Sequence, residues 1–332
     1  MNTKKKAIMV TGAAARISQE VALIDKLISE KGLTINATNT LLAGFSSGSL
    51  NLLALNLCFR SDNPLSWEKD YKQNLLWKLT NEQVYTKREF GIPIFNTDPL
   101  RKTLDSFLNL GNVAWFGDLD FESFVLTFSD RHLKTEWAKN FQSINQKNLK
   151  AADLFMASCA IPIVFPSQKI TSKTDENRNF PEGHFSDGGT GGQFSRFDEN
   201  LGRFVLENGA LEVLHIISPM RQDGKTELEQ LKNGLHGQSF LHLAEEEMGK
   251  ISANLSFDSF LKFLESIQKW QIKNGSLADE IFISIPDLNS NFEILDFDKE
   301  EEQYNAVSAW VDTNKSDFAV PINDFVAKYK VA

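Results

Sequence analysis

The pentapeptide Gly44-Phe45-Ser46-Ser47-Gly48 constrains this chain more than any other stretch. It follows the apolar run Leu41-Leu42-Ala43 and leads into Ser49-Leu50-Asn51-Leu52-Leu53-Ala54-Leu55. The pattern reads as strand, sharp turn and helix, with Ser46 at the turn. A G-x-S-x-G in that setting is a nucleophile elbow. The flanking glycines, Gly44 and Gly48, give a tight, strained turn and leave room around the serine. Ser46 then stands at a helix N-terminus, where unpaired N–H groups favour developing negative charge. These features make Ser46 a candidate acyl-transfer nucleophile. The segment from Ser47 to Phe59 is apolar nearly all round, as a helix buried on several sides must be. Because the pentapeptide also occurs in ordinary loops, other segments have to decide its meaning.

Three further segments bear on it. Lys6 to Val10 reads as a short strand, followed by Thr11-Gly12-Ala13-Ala14-Ala15-Arg16 and an amphipathic helix carrying Val21, Leu23, Ile24, Leu27 and Ile28. Small residues after a strand allow a ligand to approach the backbone closely. Phe185-Ser186-Asp187-Gly188-Gly189-Thr190-Gly191-Gly192 presents one acidic residue on a glycine-rich loop. Ala157 to Pro166 is an apolar, proline-bounded stretch.

Together these blocks resemble the patatin-like phospholipases, a family of lipid acyl hydrolases. Thr11 to Arg16 is similar to the family's glycine-rich oxyanion segment with its basic residue. Gly44 to Asn51 is similar to the elbow, Ala157 to Pro166 to its A-S-x-A-x-P-x-x-F-P stretch, and Asp187-Gly188-Gly189 to its D-G-G/A motif. Weaker echoes lie at Pro99-Leu100-Arg101 and Phe297-Asp298-Lys299. The resemblance implies a three-layer α/β/α fold with a mostly parallel sheet. It implies a Ser46–Asp187 dyad with Asp187 as general base and an acyl-enzyme on Ser46. It also implies an oxyanion hole from Gly12, Ala13 and Ala14, with positive potential from Arg16, and no metal or organic cofactor. The chain departs from the family pattern in having Gly12 followed by three alanines, Ile17 after the basic residue, and Gln193 and Ser195 after the D-G-G block. Alanine still supplies an N–H but reaches positive φ only with strain.

Composition narrows the partners. The 332 residues are 42% hydrophobic and 24% charged, as in an ordinary globular enzyme, and the net charge of −9 argues against a nucleic-acid surface. An acidic chain also has no general attraction to anionic membranes, which leaves transient contact with a membrane surface. Cys58 and Cys159 are too few and too far apart for a disulfide framework or a zinc ribbon, and their apolar neighbours predict buried thiols. Neither a P-loop nor an H-E-x-x-H motif is present, and Asp118-Leu119-Asp120-Phe121-Glu122 lacks the spacing of a calcium loop. The apolar run after Lys4-Lys5-Lys6 is too short for a signal peptide, and no stretch is long enough to span a bilayer. The expected location is the cytoplasm or a membrane periphery, with leaderless secretion left open.

Residues 6–60 predict strand, helix, strand, helix. Residues 61–110 predict an aromatic helical excursion beside the site, and 121–128, 211–218 and 281–285 predict further strands. The chain reads as one domain: a core over about 5–220, a helical cap or outer layer over about 226–275, then a C-terminal strand and helix to 332, with Phe297 to Trp310 read as the terminal helix. The substrate class is that of the resemblance, acyl esters of phospholipids or related lipids. Two rival readings stay open. One is an esterase with a Ser-Asp-His triad, which needs a late histidine such as His236 or His242, since His215 lies in an apolar strand. The other is a patatin-like fold kept as a binding protein.

Overall fold

The computed structural model describes residues 5–89, 93–141, 144–173, 180–191, 197–220, 257–288 and 292–330. In chain order the principal strands are β1 (Lys6–Val10), β2 (Thr40–Gly44), β3 (Glu122–Ser129), β4 (Lys134–Lys139), β5 (Gln168–Lys169), β6 (His184–Asp187), β7 (Leu211–Ile217), β8 (Ala278–Ser284) and β9 (Val320–Pro321). They form one nine-stranded sheet in the order β9-β8-β7-β1-β2-β3-β6-β5, with β4 on the far side of β3. Strands β8, β7, β1, β2 and β3 run parallel, and antiparallel strands flank them at both ends.

The central strands are apolar at nearly every position, because helices cover both faces. Ile8, Val10 and Leu42 join one core, and Ala7, Met9, Leu41 and Ala43 join the other, as a period of two requires. The first core is closed by α1 (Ile17–Lys31), α2 (Ser47–Cys58), α3 (Asp98–Leu110), α4 (Ala151–Ser158) and α7 (Glu300–Thr313). The second is closed by α5 (Phe197–Asn208), α6 (Phe257–Asn274) and α8 (Ile322–Lys330). The result is a three-layer α/β/α arrangement with a parallel centre, as the resemblance implies.

Two expectations need adjustment. The helix expected to start at Phe297 opens with a short helical turn, runs from Glu300 to Thr313 and is not terminal. The chain goes on through β9 to α8, whose Ile322, Phe325 and Val326 fill the second core. The helical block expected over 226–275 is described only from Phe257 onward; there Phe260, Leu264 and Ile267 are buried against the sheet. The rest of that block, with His236 and His242, lies outside the described residues, as do Gln193 and Ser195.

Strand β3 is what brings the distant candidate residues together. On one of its edges β2 ascends in parallel until Gly44 stands opposite Val125. On the same edge β6 descends antiparallel until Asp187 stands opposite Thr127. The turn after β2 and the end of β6 therefore converge at one point of the sheet, at the carboxyl ends of the parallel strands, where open α/β sheets bind ligands.

The glycines of the elbow provide room. Neither Gly44 nor Gly48 has a positive φ. A Cβ at Gly48 would stand 2.2 Å from the Val10 carbonyl oxygen, so only glycine lets α2 start against the end of β1. By contrast, Gly32 at the end of α1 has φ 66° and open space around it. Gly48→Ala should therefore cost more than about 3 kcal/mol of stability, and Gly32→Ala only about 1 kcal/mol. Urea unfolding midpoints of the two variants check this ordering.

Candidate active site

Ser46 lies between β2 and α2 with φ 52° and ψ −135°, a conformation that strains any residue but glycine. Five hydrogen bonds hold it there, one of them from the Ser49 N–H to the Ser46 carbonyl oxygen at 3.0 Å. Its N–H donates to the Ser158 carbonyl oxygen and to Ser158 Oγ, each at 3.1 Å. Its carbonyl oxygen accepts from Ser49 Oγ at 2.7 Å and from Cys159 Sγ at 3.2 Å. Ser158 Oγ spends its proton on the Leu126 carbonyl at 2.7 Å, so its lone pair is free to accept. The Ser46 side chain caps no helix N–H, and Ser46 lines a small cavity together with Gly12, Ala13, Ala14, Asp187 and Gly189.

Asp187 ends β6 and is buried. Its N–H donates to the Ala160 carbonyl at 2.8 Å, and its Oδ1 accepts from the Gly189 N–H at 2.8 Å. Its Oδ2 is buried with no hydrogen-bond partner among the described residues. Burial pushes the carboxyl up to about 7, while the nearby Ser46 hydroxyl and the Gly189 N–H pull it back down. The Ser46 hydroxyl is thus close enough to steady the carboxylate, although it makes no hydrogen bond of normal geometry with it. Loose contacts of this kind are common in ligand-free sites. Gly188 opens the short helical turn Gly188–Gly191 that supplies the Gly189 N–H.

The segment after β1 forms another wall. Ala14 takes φ 47°, so this alanine does adopt the left-handed geometry that costs it strain. The Ala13 N–H, expected to point at the substrate, donates instead to Ser47 Oγ at 2.9 Å. The Ala15 N–H is taken by the Ile294 carbonyl and the Arg16 N–H by the Ala13 carbonyl. The N–H groups of Gly12 and Ala14 have no partner among the described residues, and both residues line the cavity. Arg16 is not at the cavity surface. It is buried, and its Nη1 donates to the Pro219 carbonyl at 3.3 Å, so it braces the segment from behind.

A mostly apolar groove shares Ala14, Ser46 and Ile161 with the first cavity and continues past Leu50, Leu79 and Leu100. A third cavity shares those three leucines and runs on to Leu53, Tyr71 and Phe107. The helical excursion over 61–110 supplies Tyr71, Leu79, Leu100 and Phe107 to its walls. Among the described residues no histidine lines any of these three cavities. His132 and His184 are exposed. His215 is buried and stacked on Phe282 at 5.6 Å, and burial pushes it down to about 4, which suits a neutral structural ring. Both cysteines are buried free thiols. Among the described residues no group of three or more His, Cys, Asp or Glu side chains could hold a metal ion. No described helix is long and apolar enough to cross a membrane.

Sequence reasoning missed the strap Ser158-Cys159-Ala160. Its first two residues grip the Ser46 peptide and its third holds the Asp187 N–H. The apolar composition of the stretch is visible in the sequence, but its backbone partners exist only once β3 and α4 are assembled.

Comparison with known proteins gives one family match. Residues 35–195 match the family model described as patatin-like phospholipase. No curated protein matches the chain. Among solved structures, that of VipD from Legionella pneumophila aligns over 93% of this chain and 67% of its own, with 10% identity and a TM-score of 0.31, too distant to carry an argument. Residues 35–195, just under half of the chain, are thus similar to the patatin-like phospholipase family.

Proposed function

We propose that this protein is a serine acyl hydrolase that cleaves acyl esters of phospholipids or related lipids through a Ser46–Asp187 dyad. The observation that carries the reading is the strained Ser46 beside a buried carboxyl that titrates near neutrality, at the mouth of an apolar groove. A carboxylate at its ordinary value of about 4 is a poor base, and raising it toward the working pH improves proton transfer. Asp187 can then do the work usually given to histidine.

The steps follow from the atoms present. Ser46 Oγ attacks the ester carbonyl carbon as its proton passes to Asp187 Oδ2, the carboxyl oxygen without a partner. The carbonyl oxygen becomes an oxyanion within reach of the Gly12 and Ala14 N–H groups. Collapse breaks the ester bond, and Asp187 returns its proton to the leaving alcohol. Water then attacks the acyl-Ser46 carbonyl, giving its proton to Asp187, and the fatty acid leaves as Ser46 is reprotonated. The groove from Leu50 to Phe107 is apolar enough to take the acyl chain, each buried methylene contributing about 0.8 kcal/mol. The cavity contacts favour the dyad over the Ser-Asp-His alternative, because no described histidine reaches them.

Ser46→Ala and Asp187→Asn should each lower kcat for a nitrophenyl ester by at least about a thousandfold. Wild-type kcat/KM should fall as pH drops through about 7, because protonated Asp187 in the free enzyme cannot accept the Ser46 proton. Stopped ester assays from pH 5 to 9 read both effects. The same carboxyl makes the folded state less stable as pH rises from about 4 to about 7, because there the folded chain holds a proton that the unfolded chain has released. Asp187→Asn should remove that loss and be more stable than wild type at pH 8, by up to about 4 kcal/mol, and little different at pH 4. Denaturant titrations at the two pH values measure it. Leu50→Trp, placed where the two apolar cavities meet, should lower kcat/KM for a long-chain ester at least about tenfold while sparing a two-carbon ester. Equal losses on both esters would count against the groove as the acyl site.

A further inference from the structure

The segment after β1 is tethered by buried polar groups that the reaction above does not use. The Ala13 N–H donates to Ser47 Oγ at 2.9 Å, and Ser47 Oγ donates to Glu20 Oε1 at 2.9 Å. Asn51 Nδ2 donates to Glu20 Oε2 at 2.5 Å and to the Ile17 carbonyl at 3.1 Å, and the Tyr71 hydroxyl donates to Asn51 Oδ1 at 2.5 Å. Glu20 and Asn51 are fully buried, and Ser47 and Tyr71 nearly so.

With Glu20 as a carboxylate, proton counting sets the directions in this chain of contacts. Tyr71 has one hydroxyl proton, and giving it to Asn51 Oδ1 turns the Asn51 amide so that its NH2 meets Glu20. Ser47 has one hydroxyl proton, and giving it to Glu20 leaves only lone pairs for Ala13. Glu20 is the acceptor on which all the donors end, a role that needs its carboxylate oxygens. Burial pushes the Glu20 carboxyl up, while Asn51 and Ser47 pull it back. An apolar residue of similar size would avoid that burial cost, so the carboxylate is an expensive choice for mere packing.

We propose that Glu20 and Ser47 are positioning residues of the oxyanion site: they draw the Ala13 N–H onto α2 and so leave the Ala14 N–H as the donor turned to the cavity. The inference rests on the acyl-hydrolase reading. Three of the four amides from Ala13 to Arg16 are spent on protein acceptors, and the one left over belongs to the residue in the left-handed conformation. With the Ser47 oxygen gone, the Ala13 N–H loses its one acceptor among the described residues and the peptide can rotate, carrying Ala14 with it. The sequence contains no signal for this, since Ser47 is a variable position of the G-x-S-x-G pattern and Glu20 reads as an ordinary residue of a helix's first turn.

The test compares wild type, Ser47→Ala, Ser47→Thr and Glu20→Gln on a nitrophenyl ester. Active sites are counted by a fluorophosphonate burst and folding is checked by circular dichroism. Ser47→Ala should lower kcat per titrated site by about 10- to 100-fold with KM within about twofold, because the lost contact matters when the oxyanion forms. Ser47→Thr keeps the hydroxyl and should restore kcat to within about threefold. Glu20→Gln keeps the shape but sets an NH2 against one of the two groups that donate to Glu20, Asn51 or Ser47, and should lower kcat in the same way. A purely structural role would change the number of titrated sites and the melting temperature without changing kcat per site. A wild type that hydrolyses ester beside a Ser47→Ala variant of equal kcat, or one altered only in KM, overturns this inference alone. A wild type that hydrolyses no ester overturns the acyl-hydrolase reading and this inference with it.

Discussion

The Ser46 peptide is held at a positive φ from both ends, and the candidate site depends on that restraint. Ser158 takes its N–H while Ser49 and Cys159 donate to its carbonyl oxygen. Strain on the order of 1–3 kcal/mol at such a residue survives only where the surroundings over-determine it. Here the surroundings are the start of α2 and the strap that follows α4. The strap is fixed in turn by the Leu126 carbonyl of β3, the strand on which β2 and β6 converge. Because Ala160 also holds the Asp187 N–H, one short segment fixes both members of the proposed dyad. Their separation does not depend on a mobile loop.

The described core tolerates three carboxyls that burial pushes upward, and they are treated differently. Glu300 is raised to about 8 and accepts from the Ser18 N–H and hydroxyl, close to where Gln303 Nε2 donates to the Ala15 carbonyl at 2.7 Å. Glu20 accepts at both oxygens from Ser47 and Asn51. Both brace the segment that walls the cavity. Asp187 alone among the three lines that cavity, with one oxygen steadied by Gly189 and the other unpartnered. Asp187 therefore combines an environment that raises a carboxyl with access to Ser46, a pattern typical of functional rather than structural acids.

Much of this arrangement is legible in the sequence because it is local. The strand–turn–helix around Ser46, the apolar strands at 6–10 and 40–44, the wholly buried α2 and the acidic residue before Gly188-Gly189 all follow from patterning and turn chemistry. What is not legible is long-range. The chain cannot announce that Asp187 and Gly44 share an edge of β3, because strand pairing is decided by the whole sheet. It cannot announce that the Ala13 N–H is spent on Ser47, because that choice depends on where Glu20 lies. Arg16 reads as an exposed or substrate-facing cation, yet it is buried behind the segment, since Pro219 at the end of β7 offers its carbonyl there. The grooves from Leu50 to Phe107 are likewise invisible in a helical stripe that serves equally well as core.

The central claim is that Ser46 is a nucleophile switched on by the ionisation of Asp187. The most direct measurement reacts the folded protein with a fluorophosphonate at a series of pH values and locates the adduct by mass spectrometry of peptides. The account predicts a single adduct on Ser46, forming faster as pH rises through about 7 and suppressed in Asp187→Asn. A folded protein that takes no adduct at Ser46, or takes one at a rate indifferent to both pH and Asp187, would contradict it.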